Sequence, residues 1–234
     1  MKPPAFSYVA PQAVADVIGL LALHGTDARV IAGGQSLVPL MNLRIIRPAV
    51  LIDLNHCAGL DYIEQRGSYV AFGPMTRQID AMNSPLVRQH CPLVSQALAW
   101  TGPVAVRSRS TVGGTLAHAD RVAELPAVAV ALDAVMVIEG ASGRREVAAR
   151  DFFLGDLTTA VEPHEFLREA RFPVCQASSF SSFTEVSVRQ EGVAVVGLAV
   201  YLEREGRRVR KAALAAMGVD AAPLRLRLAE GELL

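Results

Sequence analysis

The spacing of apolar positions changes several times along the chain, and each change predicts an element. From Pro11 to His24, the residues Val14, Val17, Ile18, Leu21 and Leu23 form one face at helical period. Pro11 suits the first turn and Gly25 the stop. Ala28 to Ile31 and Val50 to Leu54 are short β-branched or apolar runs that read as buried strands, with a short helix over Ser36 to Leu43 between them. The first 55 residues thus make a strand–helix–strand unit whose connections allow a parallel sheet. From Tyr62 the period shortens: Tyr62–Glu64 and Tyr69–Phe72 are expected to pair around Arg66-Gly67-Ser68, followed by a turn at Gly73–Thr76. Helical period returns at Arg77–Met82 and over Pro85–Trp100, where Leu86, Leu93, Val94, Ala97 and Leu98 form a stripe ended by Gly102 and Pro103. Val104 to Ser110 reads as extended, Leu125–Leu132 as a buried helix and Ala134–Glu139 as a strand before a Ser142-Gly143 turn. Asp151 to Pro163 is irregular and Glu165–Phe172 extended. Beyond a boundary at 173–178, Phe180–Val188, Val193–Glu203 and Val209–Met217 predict an antiparallel meander.

Two glycine pairs interrupt this pattern. Ala32-Gly33-Gly34-Gln35-Ser36 follows the strand at 28–31, and Thr111-Val112-Gly113-Gly114-Thr115 follows the extended stretch at 104–110. Paired glycines let a backbone turn sharply and aim successive N–H groups into one concavity, which suits a diphosphate. A helix starting there adds its free N–H groups and dipole. Taken alone, each pair reads as a plain structural turn rather than a ligand site. Together they suggest one dinucleotide gripped from two sides. Neither Gly-x-Gly-x-x-Gly nor Gly-Lys-Ser/Thr occurs, which argues against a Rossmann nicotinamide site and against ATP hydrolysis.

Composition narrows the partners. With 23 basic and 23 acidic side chains, there is no electrostatic case for nucleic acid or an anionic membrane. The basic cluster at Arg204 to Lys211 is interleaved with Glu205 and reads as a solvated strand face. The N-terminus lacks the apolar core of a secretory signal, and the longest apolar run, Leu125–Val137, contains Pro126 and Asp133 and falls short of the roughly 20 residues of a membrane span. Cys57, Cys91 and Cys175 are odd in number and widely separated, as expected of a soluble protein in a reducing cytoplasm. Three thiols cannot by themselves supply the four that an iron–sulfur cluster normally takes.

The glycine stretches and their surroundings resemble the FAD-binding medium subunit of the molybdenum hydroxylases, the flavoprotein subunit of the carbon monoxide, xanthine and nicotine dehydrogenase type. The resemblance spans nearly the whole chain. It rests on Ala32-Gly33-Gly34-Gln35-Ser36-Leu37-Val38-Pro39, Leu43-Arg44, Pro48, Leu51-Ile52-Asp53-Leu54, Gly73-Pro74-Met75-Thr76 and Val106 to Gly114. His118-Ala119-Asp120, Glu124-Leu125-Pro126-Ala127, Phe152 to Gly155, Thr158-Thr159-Ala160 and Arg171-Phe172-Pro173 continue it in order.

The resemblance implies an α+β fold with an α/β N-terminal part: a two-part FAD-binding domain of the PCMH or vanillyl-alcohol-oxidase-like type, over residues 1–57 and 58–174, then a shortened antiparallel C-terminal domain over 175–234. It implies that residues 32–36 and 111–115 hold the FAD diphosphate, with Leu37 counted among the contacts. Glu124 stands where the family usually has Asp, as an acceptor for a sugar or ribityl hydroxyl, against the plainer reading of a capping acid. Asp120 and His118 lie on the same connection and support it, His118 also reading as a structural hydrogen-bonding residue. Residues 157–161, with Thr158 and Val161 as contacts, are expected near the isoalloxazine ring, and Arg189 either approaches the cofactor or lies at the surface.

Several positions depart from the family pattern. Thr115 replaces the usual Asn, Arg121 a common Pro, and Gly192, within Arg189–Ala194, an Asp that secures the cofactor side of the third domain. The segment from about residue 221 is expected to be loosely held or to lean on another subunit.

The function implied is electron transfer. FAD on this chain would take electrons from iron–sulfur clusters in a small subunit, fed by a molybdenum-cofactor large subunit, and pass them to NAD, a quinone or oxygen. No catalytic side chain and no metal ligand is expected here. A purine, an N-heterocycle, an aldehyde and carbon monoxide all stay open as the oxidised substrate. Two rivals stand beside this reading. One is a stand-alone flavin oxidase, although His56, Cys57 and His118 lie in no evident covalent attachment motif. The other is an FAD-free or weakly binding shortened relative with an assembly or scaffold role, which Gly192 and the short C-terminus favour.

Overall fold

The computed structural model describes residues 1–189 and 192–234. Its three main sheets are each drawn from one successive stretch of chain. The first contains β1 (Ser7–Val9), α1 (Val14–His24), β2 (Ala28–Ile31), α2 (Leu37–Asn42) and β3 (Val50–Asp53). The strands are parallel in the order β1-β3-β2, with Val50 opposite both Ser7 and Ala28. α1 starts three residues later than its periodicity suggests, and Gly25 stops it at φ 49°. Its Val17 and Leu21 bury against Ala28, Val50, Ile52 and Leu54. β1 was not anticipated: three residues with two exposed carry no readable alternation.

The second stretch supplies β4 (Ile63–Arg66), β5 (Tyr69–Phe72), α3 (Gln78–Asn83), α4 (Pro85–His90), α5 (Pro92–Leu98), α6 (Val104–Arg107), α7 (Val112–His118) and α8 (Glu124–Ala131). It continues with β6 (Val135–Gly140), β7 (Gly143–Ala148), α9 (Ala149–Phe152), β8 (Phe153–Gly155), β9 (Thr158–Thr159) and β10 (Glu165–Pro173). The sheet order is β4-β5-β10-β6-β7, every neighbour antiparallel. Phe72 and Phe172 meet edge to face across it, ring centres 5.4 Å apart, over a core shared with Leu98, Leu116 and Leu125. All eight residues of α8 are buried, which explains why the segment has no polar face.

Two expectations need correction here. Pro85–Trp100 is two helices rather than one, because Pro92 has no N–H to continue the ladder and Cys91 leaves helical geometry at φ −142°. Residues 104–110 are not extended: Val104–Arg107 is a helical turn, with Ser108 N bonded to Val104 O at 2.9 Å. The Arg107 guanidinium folds back onto the carbonyls of Thr101 and Gly102, so side-chain bonding overrides the strand preference of the two valines.

The third stretch is the expected meander: β11 (Ser179–Ser187), β12 (Ala194–Glu205), β13 (Arg208–Met217) and a short β14 (Leu224–Arg225), followed by α10 (Arg227–Glu232). Its buried face joins the core of the second stretch through Phe183, Ala199, Ala213 and Met217, whereas the first stretch keeps a separate core. Of the two alternatives expected for the segment beyond residue 221, loosely held or leaning on another subunit, the structure bears on the first, since part of the segment is tied to the chain itself. Glu230 is buried, accepts from Leu214 N at 2.8 Å and pairs with Arg225. Arg225 in turn donates to Val130 O at 2.9 Å and to Asp133 at 3.0 Å, so this segment packs onto β13 and α8. No described helix is long and apolar enough to cross a membrane.

Candidate functional site

β2 delivers the chain to the first glycine stretch. Gly34 takes φ 73°, a left-handed conformation that side chains with a Cβ rarely adopt. Among the described residues, the amides of Gly34, Gln35 and Ser36 donate to no group of the chain. α2 then begins at Leu37, with Val38 N bonded to Gly34 O at 3.0 Å.

The second stretch is not a free turn. Thr111 caps α7 by accepting from Gly114 N at 2.9 Å, so Val112, Gly113 and Gly114 form the first helical turn. Gly113 is buried, and a Cβ there would lie 2.5 Å from Pro74 Cα. The two stretches meet. A Cβ on Gly33 would lie 2.2 Å from the Arg109 carbonyl oxygen, and one on Gly114 would lie 3.7 Å from Ala32 Cβ.

They flank one cavity of about 490 Å³. Ala32, Gly33, Gly34, Gln35, Ser36 and Leu37 form one wall, Thr111, Gly113, Gly114, Thr115 and His118 another, and Val161 closes a third side. Four anticipated residues do not line it. Val112 lies beneath the wall, its N–H bonded to Thr76 O at 2.9 Å. Asp120 holds its own turn through Val122 N at 3.0 Å. Thr158 is exposed on β9, its hydroxyl donating to Asp156 O at 3.0 Å.

Glu124 is buried at the start of α8. Burial raises its carboxyl to about 7, Glu185 and Asp120 add to the rise, and hydrogen bonding from its own amide and from Thr101 opposes it. Arg189 is exposed; of the segment singled out around Gly192, Gln190 and Glu191 lie outside the described residues. Among the described residues, no cluster of His, Cys, Asp and Glu is arranged to hold a metal.

Of the expected stretch 157–161, Leu157 and Thr159 also line the cavity, whereas Pro74, Ser110 and the apolar pair Phe166 and Leu167 at the start of β10 were missed. Phe166 belongs to the core of the first stretch and Leu167 to that of the second, so the cavity lies where the two cores meet. A bulge in the pairing of β10 with β6 falls just beyond Leu167, and strand alternation alone does not reveal it.

A second depression, about 410 Å³, lies on the outer face of the five-stranded sheet. Its central carboxylate is satisfied: Glu169 accepts from Tyr62 at 2.6 Å, Arg66 at 2.7 Å and Arg171 at 2.5 Å. Burial, then the bond to Glu169, pushes the Tyr62 hydroxyl up to about 12. The larger cavity has what a diphosphate requires: unclaimed amides at Gly34, Gln35 and Ser36, hydroxyls at Ser36 and Thr115, and glycines that let its two walls meet closely.

Fold and cavity define a two-part nucleotide-binding protein with a third, antiparallel domain. The chain belongs to the family described as FAD binding domain in molybdopterin dehydrogenase, whose model matches residues 4–175. It is 37% identical to the 6-hydroxypseudooxynicotine dehydrogenase complex subunit alpha of Paenarthrobacter nicotinovorans, over 100% of this chain and 79% of that protein. It is 36% identical to the carbon monoxide dehydrogenase medium chain of Hydrogenophaga pseudoflava, over 96% of this chain and 78% of that one. Among solved structures, it matches a chain of carbon monoxide dehydrogenase from Hydrogenophaga pseudoflava lacking the Mo-pyranopterin moiety of the molybdenum cofactor. That match has a TM-score of 0.97 at 38% identity, covering 100% of this chain and 82% of that one. Quinoline 2-oxidoreductase from Pseudomonas putida 86 matches with a TM-score of 0.94 at 36% identity, covering 100% and 81%.

Proposed function

We propose that this chain is the FAD-carrying electron-transfer subunit of a molybdenum hydroxylase, working beside an iron–sulfur small subunit and a molybdenum-cofactor large subunit. The observation that carries this is the meeting of Gly33 with Arg109 and of Ala32 with Gly114 across one cavity. Bound FAD supplies the two-electron chemistry that links one-electron iron–sulfur donors to NAD, a quinone or oxygen.

The chain's own part is binding and orientation. The amides of Gly34, Gln35 and Ser36 would donate to the diphosphate, and Gly33, Gly113 and Gly114 let the two walls of the cavity pack closely against each other and against the 73–76 turn. Ser36 and Thr115 add hydroxyl donors. Leu37, His118 and Val161 contact the remainder of the cofactor, Thr158 stays outside the cavity, and Phe166 and Leu167 keep water from that side. Asp120 and Glu124 support the connection that carries His118. Residues 1–57 and 58–174 grip the cofactor between them, and 175–234 form the third domain. No side chain here acts as nucleophile or general base on the organic substrate, whose pocket belongs to another polypeptide.

The test is a visible spectrum of the purified chain before and after denaturation. A flavin spectrum, with the flavin released on denaturation, supports the reading. Flavin retained on the polypeptide replaces it with a covalent stand-alone oxidase. Flavin absent from the chain, and from any complex it forms, removes it. Co-purification with iron–sulfur and molybdenum subunits tests the partners.

A further inference from the structure

We propose that Asn55, Arg77 and Gln78 are positioning residues that brace the two glycine stretches at the separation a diphosphate needs. The inference rests on the reading of the cavity as a diphosphate site. None of the three lines the cavity. Arg77 precedes α3, and its guanidinium holds the segment just before the second stretch directly and the first through Asn55: Nη1 donates to Arg109 O at 2.6 Å and Nη2 to Asn55 Oδ1 at 2.6 Å. Asn55 passes the second contact on, its Nδ2 donating to Ala32 O at 2.9 Å. The Arg109 carbonyl held by Arg77 is the one that stands 2.2 Å from the Cβ position of Gly33, at the closest approach of the two stretches.

Asn55 is fixed from behind. Asp53 accepts from its amide nitrogens at 2.9 Å (backbone) and 2.5 Å (side chain), and Tyr8 donates to the other Asp53 oxygen at 2.5 Å. One hydrogen-bonded chain therefore runs from Tyr8 on β1 through Asp53, Asn55 and Arg77 to the segment before α7. Planar, two-armed Arg suits this role, because a Lys ammonium cannot span both acceptors in fixed geometry.

Gln78 braces the second stretch from inside. Its backbone N donates to Ser110 O at 2.9 Å and its Nε2 to Thr115 Oγ1 at 2.8 Å. Thr115 lines the cavity, and while its oxygen accepts from Gln78 its own hydroxyl proton is left for a ligand acceptor. Thr76 O and the Arg77–Thr111 bridge complete the contact, so residues 76–78 bind the start of α7 along their length.

The experiment titrates the flavin-free full chain with FAD, ADP and riboflavin, and measures thermal unfolding without ligand. ADP carries the diphosphate without the flavin; riboflavin carries the flavin without the diphosphate. Arg77→Ala and Asn55→Ala, both on partly or fully exposed side chains, should each weaken FAD and ADP about tenfold while leaving riboflavin unchanged. Because they break one chain, the double variant should lose little more than the worse single one. Arg77→Lys should recover part of the loss, and Gln78→Leu should weaken FAD and ADP alike. Loss of all three ligands together with a lowered melting temperature, in the exposed Asn55→Ala as well as in Arg77→Ala, overturns the proposal in favour of general support. Wild-type binding of FAD and ADP by Arg77→Ala overturns the brace alone. A wild-type chain that binds neither FAD nor ADP overturns the diphosphate reading and the brace with it.

Discussion

The two glycine stretches reach one cavity by opposite means. At 32–36 the chain is an open loop, with Gly34 at positive φ, Gln35 and Ser36 exposed and three amides unclaimed. At 111–115 the glycines are the first turn of a helix, Gly113 is buried and the Gly114 amide is already taken by Thr111. The first stretch therefore supplies donors, and the second mainly supplies closeness. Identical dipeptides do different physical jobs, because one glycine is needed for its dihedral angles and the other for its missing Cβ.

That division is broken most severely at Gly113. A valine there drives its Cβ to 2.5 Å from Pro74 Cα and 2.7 Å from Pro74 O, atoms of a buried turn with little freedom to retreat. Gly113→Val should lose more than about 3 kcal/mol of unfolding free energy even without ligand. An unchanged denaturation midpoint would show that α7 does not rest on the 73–76 turn. Gly33→Val meets the Arg109 carbonyl at 2.2 Å from a half-buried loop instead, and its larger effect should fall on ligand binding.

Behind the second stretch, Glu124 gives a pH signature that the first lacks. Its carboxyl is raised from 4.5 to about 7, chiefly by burial. The folded state thus holds a proton that the unfolded chain releases, and this group's contribution to stability is greatest below about pH 4.5 and falls as pH rises toward 7. Relative to Glu124→Gln, the wild type should lose about 2 kcal/mol between pH 5 and 7.5, read from urea midpoints at those two values. Parallel pH curves for the two proteins would remove the claim that Glu124 is buried without a cation.

How much of this could be read from sequence depends on how local the cause is. The runs Ala28–Ile31, Val50–Asp53 and Tyr69–Phe72, and the strands of the meander, are set by β-branched or alternating residues and were legible. Val104–Arg107 was not, because its apolar residues favour the wrong element and the Arg107 guanidinium ties back to carbonyls just before the turn. The packing of residues 224–232 hangs on the Arg225–Glu230 pair and on Val130, contacts that no window of sequence contains. The same holds for the site. Both glycine pairs announced themselves, whereas Phe166, Leu167 and the Asn55–Arg77 link enter through contacts with residues distant in sequence.

A smaller change sharpens the role of dihedral angles at the first stretch. Gly34→Ala places a Cβ at φ 73° and 3.2 Å from Val38 Cγ2. The cost should be about 1–2 kcal/mol of stability, with weaker FAD binding because the adjacent amides re-aim. An alanine variant as stable as the wild type, with full flavin content, would mean that the loop relaxes to another conformation at no cost.

The finest test exchanges hydroxyls rather than glycines. Thr111 bonds to Gly114 N at 2.9 Å, whereas Ser36, at the same place before α2, makes no side-chain cap. Thr111→Ala should therefore cost about 1 kcal/mol of stability in the absence of ligand. Its FAD affinity, measured against the remaining folded protein, should change little, because the Thr111 hydroxyl is spent on capping α7. Ser36→Ala should do the reverse: stability within about 0.5 kcal/mol of wild type, and flavin bound several-fold more weakly for want of a donor. The crossed pattern is the decisive feature. If both variants lose stability and affinity in step, or Ser36→Ala alone destabilises the free chain, the two stretches are not divided into a donor loop and a packing helix.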